Sequence, residues 1–106
     1  MNWQVYIILC SDATLYTGIT NDLARRYAQH DCRRGARYFL GRRPVQVVYL
    51  ENGHSRSSAS RREAAIKRLP RRDKVRLLNS PLNELADSDR AASGLAHLAL
   101  PDISDR

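Results

Sequence analysis

The chain has 106 residues, with 18 Lys and Arg against 11 Asp and Glu, a formal charge of +7 and a pI of about 10.1. That length holds one domain with a modest core and excludes two, and the positive excess predicts a polyanionic partner, nucleic acid before a membrane surface or an acidic protein. No run of roughly 18 or more apolar residues and no charged-then-apolar leader occurs, so neither a membrane span nor a signal peptide is expected and the protein is expected in the cytoplasm.

The first predicted element is a strand over Trp3–Cys10, with Trp3, Val5, Ile7 and Leu9 on one face and Gln4, Tyr6, Ile8 and Cys10 on the other. Both faces are largely apolar, the pattern of a central strand. Ser11-Asp12-Ala13 supplies turn residues and a second strand follows over Thr14–Thr20, closing a β-hairpin. A three-residue loop sets Tyr6 opposite Gly18 and Tyr16 opposite Ile8, so that both phenols share a face and the glycine leaves space beside Tyr6. A two- or four-residue loop parts them, and the sequence leaves this register open. A helix from about Asp22 to Asp31 comes next, with Asn21 as its N-cap and Asp22 at the positive end of its dipole. Leu23, Ala24, Tyr27 and Ala28 form its apolar stripe. Arg26 and His30, four apart, stack on one flank of that stripe, at the edge between core and solvent.

A basic loop or short helix, Arg33–Arg43, leads through Pro44 into a third strand over Val45–Glu51. A second helix is expected over Ser57–Leu69, and Pro70, tolerated at a first helical turn, opens a third over Arg71–Asn79. In the second helix Ala59, Glu63, Ile66 and Leu69 are spaced by four, three and three, which sets Glu63 on the inward line, apart from its exposed neighbours Arg61, Arg62, Lys67 and Arg68. An inward carboxylate needs an arginine or a metal ion, and from spacing alone the salt bridge is favoured.

The composition changes character near Ser80-Pro81. Residues 1–79 carry 16 of the 18 Lys and Arg and 6 of the 11 Asp and Glu, a net of +10, whereas residues 80–106 carry 2 and 5, a net of −3. Residues 1–79 are therefore read as the domain. Residues 80–106 are a weakly acidic tail, disordered or a short docked helix, through which a protein partner would bind. Cys10, in an apolar run, and Cys32, after a helix, have neither zinc-site spacing nor the density of a disulfide scaffold and are expected to be reduced thiols. Trp3 is expected in the core, and His54 and His97, without companion residues, receive no role.

Val5-Tyr6-Ile7, Leu15-Tyr16-Thr17-Gly18-Ile19-Thr20, Asn21-Asp22-Leu23, Arg25-Arg26-Tyr27, His30, Gly35-Ala36-Arg37-Tyr38, Arg43-Pro44, Val48-Tyr49, Arg62-Glu63-Ala64 and Ile66-Lys67-Arg68-Leu69 follow one another across the whole domain. As an ordered set over residues 3–78 they resemble the GIY-YIG nuclease superfamily, and within it the small single-domain bacterial branch of UPF0213 type. The resemblance implies an α/β (α+β) fold in which a three-stranded antiparallel sheet is flanked by helices. It also implies metal-dependent hydrolysis of phosphodiester bonds in DNA, favoured over RNA, in repair or recombination, with Mg²⁺ or Mn²⁺ as cofactor.

Carried over by position, the resemblance makes Tyr6, Tyr16, Arg26, His30 and Glu63 catalytic and Gly18 the glycine that closes the second motif. Glu63 would hold the metal ion and Arg26 would clamp the phosphate. Tyr6 is the favoured base, although a phenol is a poor one near pH 7 unless its pKa falls, and His30 could take the proton directly or relay it. Arg25, Arg33, Arg34, Arg37, Arg42 and Arg43 could track a nucleic-acid backbone, with a solvated basic loop as the plain alternative. Gln4, Thr17 and Ile19 depart from residues found at these positions in other members, and Asn79 lies too far from Glu63 to match the C-terminal asparagine of several active ones. Two other readings stand beside the nuclease: a non-catalytic nucleic-acid-binding module, and a partner-dependent subunit on the same scaffold, in either of which the tyrosines are ordinary core residues and Arg26 a structural partner of Glu63.

Overall fold

A tight hairpin fixes the register that the sequence left open. In the computed structural model, which describes residues 1–31 and 41–85, β1 (Trp3–Cys10) and β2 (Leu15–Thr20) pair antiparallel with Tyr6 opposite Gly18 and Ile8 opposite Tyr16. The loop is the three-residue one: Cys10 N–H donates to Thr14 C=O at 2.9 Å and Ala13 N–H to Cys10 C=O at 2.9 Å. Ala13 closes it at φ 68°, the left-handed position of a three-residue hairpin. β2 begins at Leu15 rather than Thr14, and Asp12 Oδ1 accepts from both the Thr14 N–H (3.2 Å) and its hydroxyl (2.6 Å).

β3 (Pro44–His54) pairs with the other edge of β1, giving a three-stranded antiparallel sheet of order β2-β1-β3. It runs past the expected end at Glu51 because the pairing continues to Trp3 opposite His54. A bulge takes up the extra residue, with Gly53 at φ 75° in the backbone conformation such a bulge favours.

The alternation along β1 builds two cores, one on each face. Val5 and Ile7, with Leu15, Val48 and Tyr49, pack against Ala59 and Ile66 of α2 (Arg56–Lys67) and against Val75, Leu77 and Leu78 of α3 (Arg71–Leu78). Tyr6, Ile8 and Cys10 face the opposite way, onto Leu23 and Tyr27 of α1 (Leu23–Asp31). Burying each large aliphatic side chain of this central strand is worth roughly 1.5–3 kcal/mol. The result is an α+β sheet covered by helices on both sides. Cys10 is a buried free thiol, and Trp3 is half-buried against the first core with the Arg56 guanidinium 5.4 Å from its ring centroid.

The helix ends follow local capping. Asp22, not Asn21, caps α1: its Oδ1 accepts from Arg25 N–H at 3.2 Å, while Thr20 Oγ1 accepts from Asp22 N–H at 3.0 Å. α2 begins one residue before the expected start because Ser55 and Ser58 form a reciprocal capping box, at 3.0 and 3.1 Å. Pro70 lies just outside α3, at its N-cap. Ser80 to Leu85 stays on the domain. Buried Asn83 donates to Val48 C=O (3.0 Å) and Leu78 C=O (2.9 Å) and accepts from Leu50 N–H (3.2 Å), and Glu84 N–H donates to Leu50 C=O (2.8 Å), covering the outer edge of β3. Cys32, His97 and the rest of the acidic tail lie outside the described residues. Among the described residues no helix is long and apolar enough to cross a membrane.

Candidate active site

Tyr6 and Tyr16 come from paired strands and share a face, with ring centroids 6.3 Å apart. His30 meets both, 6.2 Å from Tyr6 and 5.4 Å edge-on to Tyr16, and its Nε2 lies 3.0 Å from Tyr6 Oη. The packing of the Tyr6 ring over β2 depends on Gly18. A Cβ there would stand 2.5 Å from Tyr6 Oη, 2.6 Å from Tyr6 Cζ and 3.1 Å from Tyr16 Cε2, so a side chain would displace a buried ring.

His30 is not at the edge of the core, where its helical position suggested. It is fully buried, while Ala24 and Ala28 of the expected apolar stripe are exposed. α1 is rotated so that Leu23, Arg26, Tyr27 and His30 turn toward the sheet, because the Tyr6 hydroxyl offers His30 a partner that no apolar stripe provides. Burial and then the Arg26 charge lower the His30 pKa to about 4. The imidazole is therefore neutral at pH 7, and its Nε2 shares a hydrogen bond with the Tyr6 hydroxyl. Burial pushes the Tyr6 phenol above its ordinary range, Tyr16 adds to this, and the adjoining Arg26 opposes it. Burial raises Tyr16 as well, against the positive charges of Lys67 and Arg26. Arg26 itself is half-buried, its Nη1 donating to Gln29 Oε1 at 3.2 Å.

Glu63 completes the group from α2, close enough for its charge to act on both phenols. Its partner is not an arginine. Lys67, one turn on, places Nζ 3.2 Å from Glu63 Oε2, and Glu63 keeps a side-chain exposure of 24%. The same ammonium lies 5.9 Å from the Tyr16 ring centroid. Sequence reasoning set Lys67 among the exposed neighbours, yet its i,i+4 relation to Glu63 was the available signal. The structure thus gathers Tyr6, Tyr16, Gly18, Arg26, His30 and Glu63, and adds Lys67. Among the described residues there is no group of three or more His, Cys, Asp or Glu side chains. One half-exposed carboxylate does not make a zinc site, but it suits a hard ion that keeps its waters and takes further oxygens from a phosphate.

Of the arginines expected to follow a nucleic-acid backbone, Arg25 is exposed with Asp22 at 3.9 Å, and Arg42 pairs with Asp12 at 2.8 Å. The Arg43 backbone is tied to Ser11 at both its N–H and its C=O. Arg33, Arg34 and Arg37 lie outside the described residues.

A second polar cluster, on the α2 side of the sheet, was not anticipated. Glu51 accepts from Tyr49 Oη, from Arg62 Nε at 2.9 Å and from His54 Nε2 at 2.9 Å, and His54 Nδ1 in turn lies 2.8 Å from Ser58 Oγ. Arg62 is therefore half-buried and paired rather than exposed, and His54 has companions after all. Burial would raise the Glu51 carboxyl, but its hydrogen bonds from Tyr49, His54 and Arg62 outweigh this and hold it below the usual carboxylate range.

The GIY-YIG catalytic domain matches residues 2–76. The chain belongs to the GIY-YIG family. It is 56% identical over 68 residues to a UPF0213 protein of Desulfotalea psychrophila, covering 63% of this chain and 62% of that one, a little under two thirds of the relative's length. A UPF0213 protein of Xanthomonas axonopodis pv. citri is 38% identical over 96 residues, 91% of this chain and 94% of its own. The solution structure of a UPF0213 protein from Bacillus halodurans superposes with a TM-score of 0.54 at 34% identity, covering 89% of this chain and 97% of that one. GIY-YIG domains are nuclease domains, so the cluster around Gly18 is where this family's chemistry is to be sought.

Proposed function

We propose that the protein is a metal-dependent endonuclease that hydrolyses phosphodiester bonds in DNA, in repair or recombination. The observation that carries this reading is the cluster over Gly18, in which a phenol bonded to a neutral imidazole, an arginine and one half-exposed carboxylate stand together. A phosphate reaching its half-exposed side would meet the Arg26 guanidinium, which offers hydrogen bonds and a fixed charge to the oxygens that gain negative charge in the transition state. Tyr6 would take the proton of the attacking water while passing its own to His30 Nε2. In the free protein both shifts oppose that transfer, the phenol being raised and the imidazole lowered, and the Arg26 guanidinium is the neighbour that favours ionisation of the phenol.

Glu63 would hold one Mg²⁺ or Mn²⁺, giving up its bond to Lys67 to do so. When bound, the ion would supply charge neutralisation to the phosphate under attack.

The test is to incubate the protein with supercoiled, single-stranded and branched DNA, with Mg²⁺ or with EDTA, beside Glu63→Gln and Tyr6→Phe. Cutting that needs the metal and falls by roughly 10²–10³-fold in both variants, with DNA binding retained, is the expected result. Binding without cutting under every condition would instead favour a binding module or a subunit that needs a partner.

A further inference from the structure

Where α2 passes into α3, three cations converge beside the candidate site. Lys67 ends α2 and already touches both Glu63 and the Tyr16 ring. Arg71 and Lys74 lie three apart in the first turn of α3, both half-buried. That turn is the positive end of the helix dipole, where cations are disfavoured. Among the described residues no carboxylate is paired with either of them. The acid of that turn, Asp73, pairs with Arg76 at 3.5 Å, and Glu63 is taken by Lys67. Arg71 Nε is cut off from solvent and has no hydrogen-bond partner among the described residues. A buried donor of this kind is rare in a native protein and calls for an acceptor. Burial, then the charges of Arg71 and Lys67, hold Lys74 below the ordinary lysine range, as expected of like charges held together.

We propose that Lys67, Arg71 and Lys74 form a phosphate-binding subsite that grips the nucleic-acid backbone next to the phosphate held at the candidate site. The proposal rests on the nucleic-acid reading above and extends it to a place where the strand lies. Arg71 supplies a guanidinium whose planar fork suits phosphate oxygens once the side chain turns its enclosed Nε–H to them, and two ammonium groups supply point charges beside it. The cluster is unfavourable in the free protein on three counts: mutual repulsion, the helix dipole and the unmatched donor. One phosphodiester oxyanion offsets all three. Lys67 links this subsite to the site itself, since it also reaches Glu63 and Tyr16.

The experiment measures binding of a labelled single strand and a labelled duplex in EDTA across 50–200 mM salt, by fluorescence anisotropy, for the wild-type protein, Arg71→Gln/Lys74→Gln and the equal-charge control Arg56→Gln/Arg61→Gln. The slope of log K against log salt should fall by about 0.7 per cation removed for the single strand and about 0.9 for the duplex. The control should retain the wild-type slope. Thermal unfolding of the double variant should occur at the wild-type temperature or above it, because like charges have been removed.

A double variant that binds with the wild-type slope, or no more weakly than the control, overturns the subsite, as does one that melts earlier while binding normally. Cleavage in Mg²⁺ is read separately. If the wild-type protein cuts and the double variant binds normally, the subsite fails and the nuclease reading stands. If the double variant loses binding and neither protein cuts, the reverse holds, and a wild-type protein that binds no nucleic acid sinks both.

Discussion

Two clusters in this small domain are made of nearly the same residues. Each has a tyrosine, a histidine, an arginine and a glutamate, and each joins the sheet to helices. In the Glu51 cluster every charge is answered: the carboxylate takes Tyr49, Arg62 and His54 together, and His54 reaches Ser58 with its other nitrogen. In the Gly18 cluster the charges do not close. Arg26 faces two neutral phenols and a neutral imidazole, Glu63 stays half open to solvent, and a glycine lets the Tyr6 ring pack against the strand backbone. A saturated network fastens elements, whereas an unsaturated one can act on something that enters.

The largest effect should come from dividing the two glutamates. Glu51→Ala leaves Arg62 half-buried without its counter-charge and should cost about 2–3 kcal/mol of stability, discounted from the full cost of breaking a buried pair because Arg62 is partly solvated. Glu63→Ala removes a helix-surface pair with Lys67 and should cost less than about 0.5 kcal/mol while abolishing cleavage. Chemical denaturation of the two variants checks this, and equal losses would erase the distinction.

Gly18→Ala strikes the packing at the centre of this cluster. It should lower stability by roughly 1–3 kcal/mol through overpacking against Tyr6, and lower DNA cutting by more than that loss explains.

The two tyrosines give the next contrast. Tyr49→Phe takes a hydrogen bond from buried Glu51 and should cost about 1–2 kcal/mol with cleavage per folded molecule unchanged. Tyr6→Phe takes the hydrogen bond from fully buried His30 and should cost a similar amount, about 1–2 kcal/mol, but with a large loss of cutting per folded molecule.

Acid provides the smallest and most graded comparison. The folded-state pKa of His30 is lowered from 6.5 to about 4. The unfolded chain therefore binds the proton first as pH falls. Stability from this group is fully present above about 6.5 and is lost between there and about 4. The depressed Glu51 carboxyl contributes stability that is present above the ordinary glutamate range and is lost below it. Unfolding curves from pH 7 to 4 should be flatter for His30→Gln than for the wild-type protein, and an unchanged slope would mean that His30 is not buried neutral.

Much of this was legible in the sequence because it follows from local geometry. Period two along Trp3–Cys10 gave a central strand with two apolar faces, and the structure has both cores. The relation of Tyr6 to Gly18 followed once the loop had three residues. The helical periodicity of α1 misled because it counts hydrophobicity alone: a buried hydrogen bond with Tyr6 drew His30 inward and left Ala24 and Ala28 outside. Spacing in α2 found that Glu63 leaned inward but could not name its partner. It also missed Arg62, whose partner, Glu51, lies on another element.

By itself, then, the sequence determined the two faces of β1 and the charge of the domain, because these depend on the period of the backbone and on residue chemistry, whereas the residues of the candidate site were carried over from the resemblance to the GIY-YIG family. Only the tertiary structure decided the hairpin register, the burial of His30, the pairing of Glu51 with Arg62 and His54, and the stranded donor of Arg71. These depend on distances between elements, and spacing along one element does not contain them.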